Sequence, residues 1–137
     1  EAYAENRAVC KKCRYNEGIL RMSRDEQIFL RRAYSQTKKR AKNKGLDINI
    51  TSEDLIELWA TQGGLCALSG LPMTHHFDNG GTKDYNVSID RIRSTEGYTI
   101  TNVQLVCSRV NTIKNDLDEA SLFWWVKILH NKLNNVE

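Results

Sequence analysis

The stretch from Ser88 to Lys114 constrains the fold more than any other part of the chain. Ser88-Ile89-Asp90-Arg91-Ile92 and Asn102-Val103-Gln104-Leu105-Val106-Cys107 are short, mostly apolar runs enclosing the polar loop Glu96-Gly97-Tyr98-Thr99. Asn111-Thr112-Ile113-Lys114 follows at once. Short apolar runs bounded by turn residues read as strands, so the segment reads as a hairpin running into a helix. Asp90 on the first strand and Asn111 on the helix are its only strongly polar groups placed to face each other. They lie 21 residues apart, the length of a hairpin plus a helical turn, and such a unit folds back so that the two side chains can approach each other.

The rest of the chain supports a single domain. At 137 residues it can bury one modest core but not two. We divide it into a Cys-pair lead-in (1–22), a basic helical region (23–64), the strand–strand–helix core (65–117) and a C-terminal helix (118–137). No apolar run approaches the roughly 18 residues that span a bilayer. The chain opens at Glu1 rather than a methionine, with nothing like a signal peptide, as a fragment or processed form would.

Charge is unevenly spread. Residues 1–45 hold 13 Lys/Arg against 5 Asp/Glu, a net +8, and the remainder nets −5. Such asymmetry suits a first part that lies on a polyanion and a second part that holds a cation; a solvated basic helix is the plainer alternative. Ser23-Arg24-Asp25-Glu26 reads as a capping box opening a long helix that Gly45 stops. Its second half carries Arg31, Arg32, Lys38, Lys39, Arg40, Lys42 and Lys44. Asp47-Ile48-Asn49-Ile50 alternates like a short strand. A second helix, capped by Thr51 or Ser52, ends at Gly63-Gly64. His75 and His76 sit in a polar loop. The last helix, from Asp118 to about Lys132, carries tryptophans expected to fill the core.

Asp90-Arg91, Glu96-Gly97-Tyr98, Asn102 and Asn111-x-x-Lys114 together resemble the ββα-metal finger of HNH endonucleases, in the phage-type and restriction-like subset with Asp-Arg and a downstream Gly-Tyr. The likeness covers about Cys66 to Leu117 well and the preceding basic helix more loosely. It implies an α+β fold, a ββα-metal finger with flanking α-helices, and metal-dependent cleavage of DNA. By that resemblance Asp90 and Asn111 would hold one Mg²⁺ or Mn²⁺. Hard oxygen donors suit such an ion, and two of them leave about four octahedral positions open. Most HNH members have a histidine directly after the metal aspartate as general base. Arg91 stands there and cannot accept a proton, so the resemblance makes Tyr98 the base and puts Arg91 on the scissile phosphate. A phenol is mostly protonated at neutral pH, and a nearby guanidinium and metal ion would favour the phenolate. If Tyr98 only packs the loop, His75 or His76 is the alternative base. Gly97 permits the tight loop, and Asn102 ties it to the strand through side-chain to backbone hydrogen bonds.

Arg31, Arg32, Lys38, Lys39, Arg40, Lys42 and Lys114 are the expected DNA contacts, directed at phosphates and therefore independent of sequence. Many HNH nucleases carry a Cys₄ zinc site of two C-x-x-C pairs. Here the matching places, Cys66-Ala67-Leu68-Ser69 and Cys107-Ser108-Arg109-Val110, are each half empty. Two thiolates do not complete a structural zinc site, so Cys66 and Cys107 are expected as buried free thiols. Cys10 and Cys13 resemble half of a zinc ribbon and could bind a structural Zn²⁺. The thiols fit an intracellular protein that keeps them reduced, and the resemblance to phage-type HNH nucleases implies a phage-encoded one. A double-strand cut by a one-site enzyme would call for a homodimer. The competing function is a DNA-binding module with a degenerate, inactive finger, which the missing histidine favours and the intact Asp90/Asn111 pair disfavours.

Overall fold

Helix ends fix the element order. In the computed structural model, which describes residues 25–77 and 83–135, the elements are α1 (Glu26–Lys44), α2 (Ser52–Gln62), β1 (Val87–Arg91), β2 (Val103–Cys107), α3 (Ser108–Lys114) and α4 (Glu119–Asn134). α1 starts at Asp25, whose carboxylate accepts from the Gln27 and Ile28 N–H groups at 2.9 and 3.3 Å. The expected start at Ser23 lies outside the described residues. An aspartate cap also places negative charge at the positive end of the helix dipole. Gly45 ends the helix in the left-handed conformation (φ 66°), and the Leu46 N–H reaches back to Ala41 O at 2.9 Å, the bond pattern that closes orphan carbonyls at helix ends. α2 carries a reciprocal cap, Asp54 N–H to Thr51 Oγ1 and Thr51 N–H to the Asp54 carboxylate.

The segment expected as a strand at Asp47–Ile50 forms a single parallel bridge, Ile48 to Tyr98. Tyr98 N–H donates to Asp47 O and Asn49 N–H to Tyr98 O, both at 2.8 Å. Its partner is the loop after β1 rather than a strand, so the pairing cannot extend.

β1 and β2 pair antiparallel with Val87 opposite Cys107 and Asp90 opposite Gln104. The period of two sends Val87, Ile89, Val103 and Leu105 into one core with Leu30, Ile50 and Leu55. Ser88, Asp90 and Gln104 go to the other side, where α3 lies. The Gln62 side chain clamps β2 from α2: it donates to Leu105 O at 2.9 Å and accepts from Leu105 N–H at 3.0 Å. Cys66 and Cys107 are buried free thiols. Burial alone would push the Cys66 thiol up, but donors from Ser69 and the Cys107 N–H outweigh it and hold the thiol below its ordinary value. Burial pushes Cys107 up, with the adjacent Cys66 adding to it. Cys10 and Cys13 lie outside the described residues.

α4 departs from the sequence reading. Asp118 caps it by accepting from Ser121 N–H at 2.8 Å, and Leu122 is buried. Trp124 and Trp125, expected in the core, are 55% and 50% exposed. Only the first turns of α4 reach the body of the protein, so the apolar side chains beyond Leu122 have nothing to cover them. Among the described residues no helix is long and apolar enough to cross a membrane.

Candidate active site

Asp90 is the polar centre of the hairpin and is only 3% exposed. Its Oδ1 accepts from Lys114 Nζ at 3.0 Å and its Oδ2 from Gln104 Nε2 at 2.9 Å. Gln104 stands directly across the ladder and also donates to Glu119 at the start of α4 (2.8 Å). Lys114 is fully buried and donates a second bond to Arg91 O at 2.7 Å. The expectation that Lys114 contacts DNA is therefore corrected. An ammonium enclosed in the fold and paired with Asp90 is spent on the site itself and does not reach a phosphate outside. The helical period explains the error: Lys114 is three residues past Asn111, so both share the face of α3 turned to β1.

Asn111 is held by its amide nitrogen, which donates to Ser88 Oγ at 2.7 Å and more weakly to Ile89 O at 3.4 Å. That arrangement leaves the amide oxygen as the donor atom toward a cation. Arg91, at the end of β1, donates through Nη1 to Ser94 O (2.7 Å) and Glu96 O (2.9 Å). It therefore staples the loop after the strand. Its guanidinium carbon lies 5.4 Å from the centre of the Tyr98 ring, within cation–π range.

Two residues shape that loop. Asn102, fully buried, accepts from Arg93 N–H at 2.9 Å and donates to Arg93 O and Gly97 O at 3.0 and 2.9 Å. Gly97 is required by a close approach rather than by an unusual turn: a Cβ there would stand 2.5 Å from Asp47 O. The backbone contact that excludes the Cβ is also the one that fixes Tyr98.

Asp90, Arg91, Tyr98 and Asn111 line one cavity of about 160 Å³, and Arg40 and Lys44 of α1 line it with them. Arg40 and Lys44 are four apart and so share a helix face. The remaining cations expected on DNA are distributed otherwise. Arg31 pairs with Glu53 and Ser52 of α2, and its guanidinium holds the Glu53 carboxyl below the usual range. Lys38 and Lys42 follow Arg31 at the i+7 and i+11 positions of the same flank, away from the cavity. Arg32 lies over the Phe77 ring at 4.0 Å, and Lys39 is exposed. Neither histidine joins the site. His75 sits between Phe29 and Trp59, with ring centres at 6.5 and 6.1 Å, and His76 lines a neighbouring cavity.

The donor set fits one hard divalent cation: a carboxylate and an amide oxygen on one cavity, with space left for water and substrate. Mg²⁺ is commonly held this way, through one or two protein oxygens and the substrate's phosphate. Among the described residues no group of three or more His, Cys, Asp or Glu could hold a metal ion. Sequence reasoning missed Gln104, which only the strand register reveals, and the split of α1 into a cavity-facing pair and outlying cations.

No protein-family model and no curated protein matches this chain. Among solved structures, it is similar to the rare-cutting HNH restriction endonuclease PacI, with 22% identity and a TM-score of 0.51 over 65% of this chain and 67% of that one. The likeness is one of fold, and it makes the hairpin, α3 and the flanking helices an HNH-like α+β fold.

Proposed function

We propose that this chain is a metal-dependent DNA endonuclease that hydrolyses phosphodiester bonds through a single-metal HNH site. The observation that carries the proposal is the shared cavity: two hard oxygen donors, a phenol and three guanidinium or ammonium groups around one space. A phosphodiester needs that combination, since its transition state gathers negative charge while a water loses a proton. The HNH-like fold, shared with a restriction endonuclease, supports the same reading.

Asp90 and Asn111 would hold Mg²⁺ or Mn²⁺, which when bound draws charge off the non-bridging and leaving oxygens. Lys114 and Gln104 fix the Asp90 carboxylate in position before substrate arrives. Arg91, Arg40 and Lys44 hold the scissile phosphate. Tyr98, as phenolate, takes the proton of the attacking water, and the departing oxygen is protonated from solvent. The aromatic ring is steadied by the Arg91 guanidinium.

One observation favours the rival reading, a DNA-binding module with an inactive finger: both Asp90 oxygens already accept a hydrogen bond. Each oxygen keeps a second lone pair, and an acceptor-only carboxylate has about four such positions, so the pairing does not close the site. Incubating supercoiled plasmid with the protein, with and without Mg²⁺ or Mn²⁺, decides between them. Nicked or linear product that appears only with metal supports the endonuclease; intact plasmid in a gel-shifted complex would leave the binding module.

A further inference from the structure

The start of α4 is tied to Asp90 through one amide. Gln104 Nε2 donates to Asp90 Oδ2 at 2.9 Å and to Glu119 Oε1 at 2.8 Å. A side-chain amide nitrogen has only two N–H groups, so the two carboxylates together use all of it. They also settle which way the amide points, because turning it over would aim its carbonyl oxygen at both negative groups. Glu119 is held in turn by the helix end it occupies. Asp118 caps α4 through the Ser121 N–H, and Leu122 is buried against the body of the protein. A polar chain therefore runs from the first turn of α4 through Glu119 and Gln104 to Asp90.

We propose that Glu119 is a positioning residue for the cation site: by orienting the Gln104 amide it fixes the Asp90 carboxylate, so that metal affinity depends on the seating of the first turn of α4. The inference rests on the reading of Asp90 as the metal carboxylate. Lys114 fixes Oδ1 of that carboxylate and Gln104 fixes Oδ2, so an amide that swings releases half of the clamp. Hydrogen bonds to ionised acceptors are the strong ones, whereas the terminal torsion of a glutamine is otherwise broad. Without Glu119 the amide keeps a single anchor and pivots about it. The plainer role for Glu119 is a negative charge at the positive end of the helix dipole. That role needs no partner outside the helix, yet Glu119 meets a strand residue fifteen positions away. Asp118 already provides a carboxylate cap at the same helix end.

Titrating the full chain with Mn²⁺ and following the paramagnetic broadening of the Asn111 side-chain amide signals reads metal affinity without cleavage. Glu119→Ala should raise the half-saturating Mn²⁺ at least about 5-fold, toward the roughly 10–100-fold that loss of a ligand's own hydrogen-bond partner costs. Glu119→Gln removes the same charge but keeps an acceptor oxygen for Gln104, so it should stay within about twofold of wild type. In a Gln104→Met background Glu119→Ala should change nothing further, as a residue acting only through Gln104 requires. Both Glu119 variants should keep the wild-type circular dichroism spectrum, since Glu119 is only partly buried. Equal losses in Glu119→Ala and Glu119→Gln would reduce Glu119 to its charge and overturn the proposal. So would unchanged affinity in Glu119→Ala, or a further loss in the Gln104→Met background. A wild type in which Mn²⁺ broadens nothing near Asn111 would instead overturn the metal site itself, and the inference with it.

Discussion

Lys114 Nζ lies 3.0 Å from Asp90 Oδ1, with both side chains under 5% exposed. The proposed metal carboxylate thus carries its own buried counter-cation. The pair also joins the two halves of the finger, since Asp90 stands on β1 and Lys114 ends α3. Removing one partner of such a pair strands a charge in the interior, whereas removing both can be nearly neutral. Lys114→Met should therefore lower unfolding stability by about 3–5 kcal/mol, read as a drop in the urea midpoint. Unchanged stability with weakened DNA binding would return Lys114 to the role of phosphate contact.

The same pair dictates how the metal site is probed. Asp90→Ala would leave Lys114 unpaired, mixing a folding defect with lost chemistry. Asn111→Ala is cleaner, because Asn111 is only partly buried and its amide bonds are to Ser88 and Ile89 O. Its plasmid cleavage should fall by at least about 10², a loss of more than about 2.7 kcal/mol of transition-state stabilisation, at near-normal stability and DNA affinity. Wild-type cleavage from this variant under saturating Mg²⁺ would remove Asn111 from the site.

The cations of α1 separate by face. Arg40→Ala/Lys44→Ala should flatten the slope of log K against log salt by about 1.8, at about 0.9 per lost phosphate contact. Lys38→Ala/Lys42→Ala, on the flank of Arg31, should leave the slope near wild type. Equal flattening in both double variants would mean that DNA lies across the outer surface of the helix rather than against the cavity.

The hairpin, α3, both glycine stops and a cap at Thr51 or Ser52 for α2 are legible in the sequence because each rests on local periodicity or a short capping pattern; that the α2 cap is reciprocal with Asp54 is seen only in the structure. The spacing of Asp90 and Asn111 anticipates that they share a cavity, while Arg91 and Tyr98 are placed beside them by the HNH resemblance. What is not legible depends on register and on tertiary limits. Gln104 joins Asp90 only because the ladder sets them opposite. Lys114 reads as a surface cation until its helix face is known. The apolar stripe of α4 looks like core, since periodicity reports amphipathicity but not how far the protein extends beneath a helix.

Gly97 offers a test of the loop's geometry. Gly97→Ala drives a methyl toward the Asp47 carbonyl, so either the loop or the 47–49 segment must shift. The expected cost is about 1–3 kcal/mol, with a larger proportional loss of cleavage than of DNA binding because Tyr98 moves with the loop. Unchanged stability would show that the approach to Asp47 is looser than the geometry indicates.

Tyr98→Phe keeps the ring against Arg91 and the backbone bridge to Ile48 while removing the hydroxyl alone. If the phenol accepts the water's proton, single-turnover cleavage should fall by about 10² or more, the usual worth of a general base, and DNA affinity should hold. His75→Ala and His76→Ala should change the rate little, because neither side chain lines the cavity with Asp90. His75→Ala is measured together with stability, since its ring packs between Phe29 and Trp59. Near-normal cleavage by Tyr98→Phe, together with a dead but folded histidine variant, would transfer the role of base to that histidine.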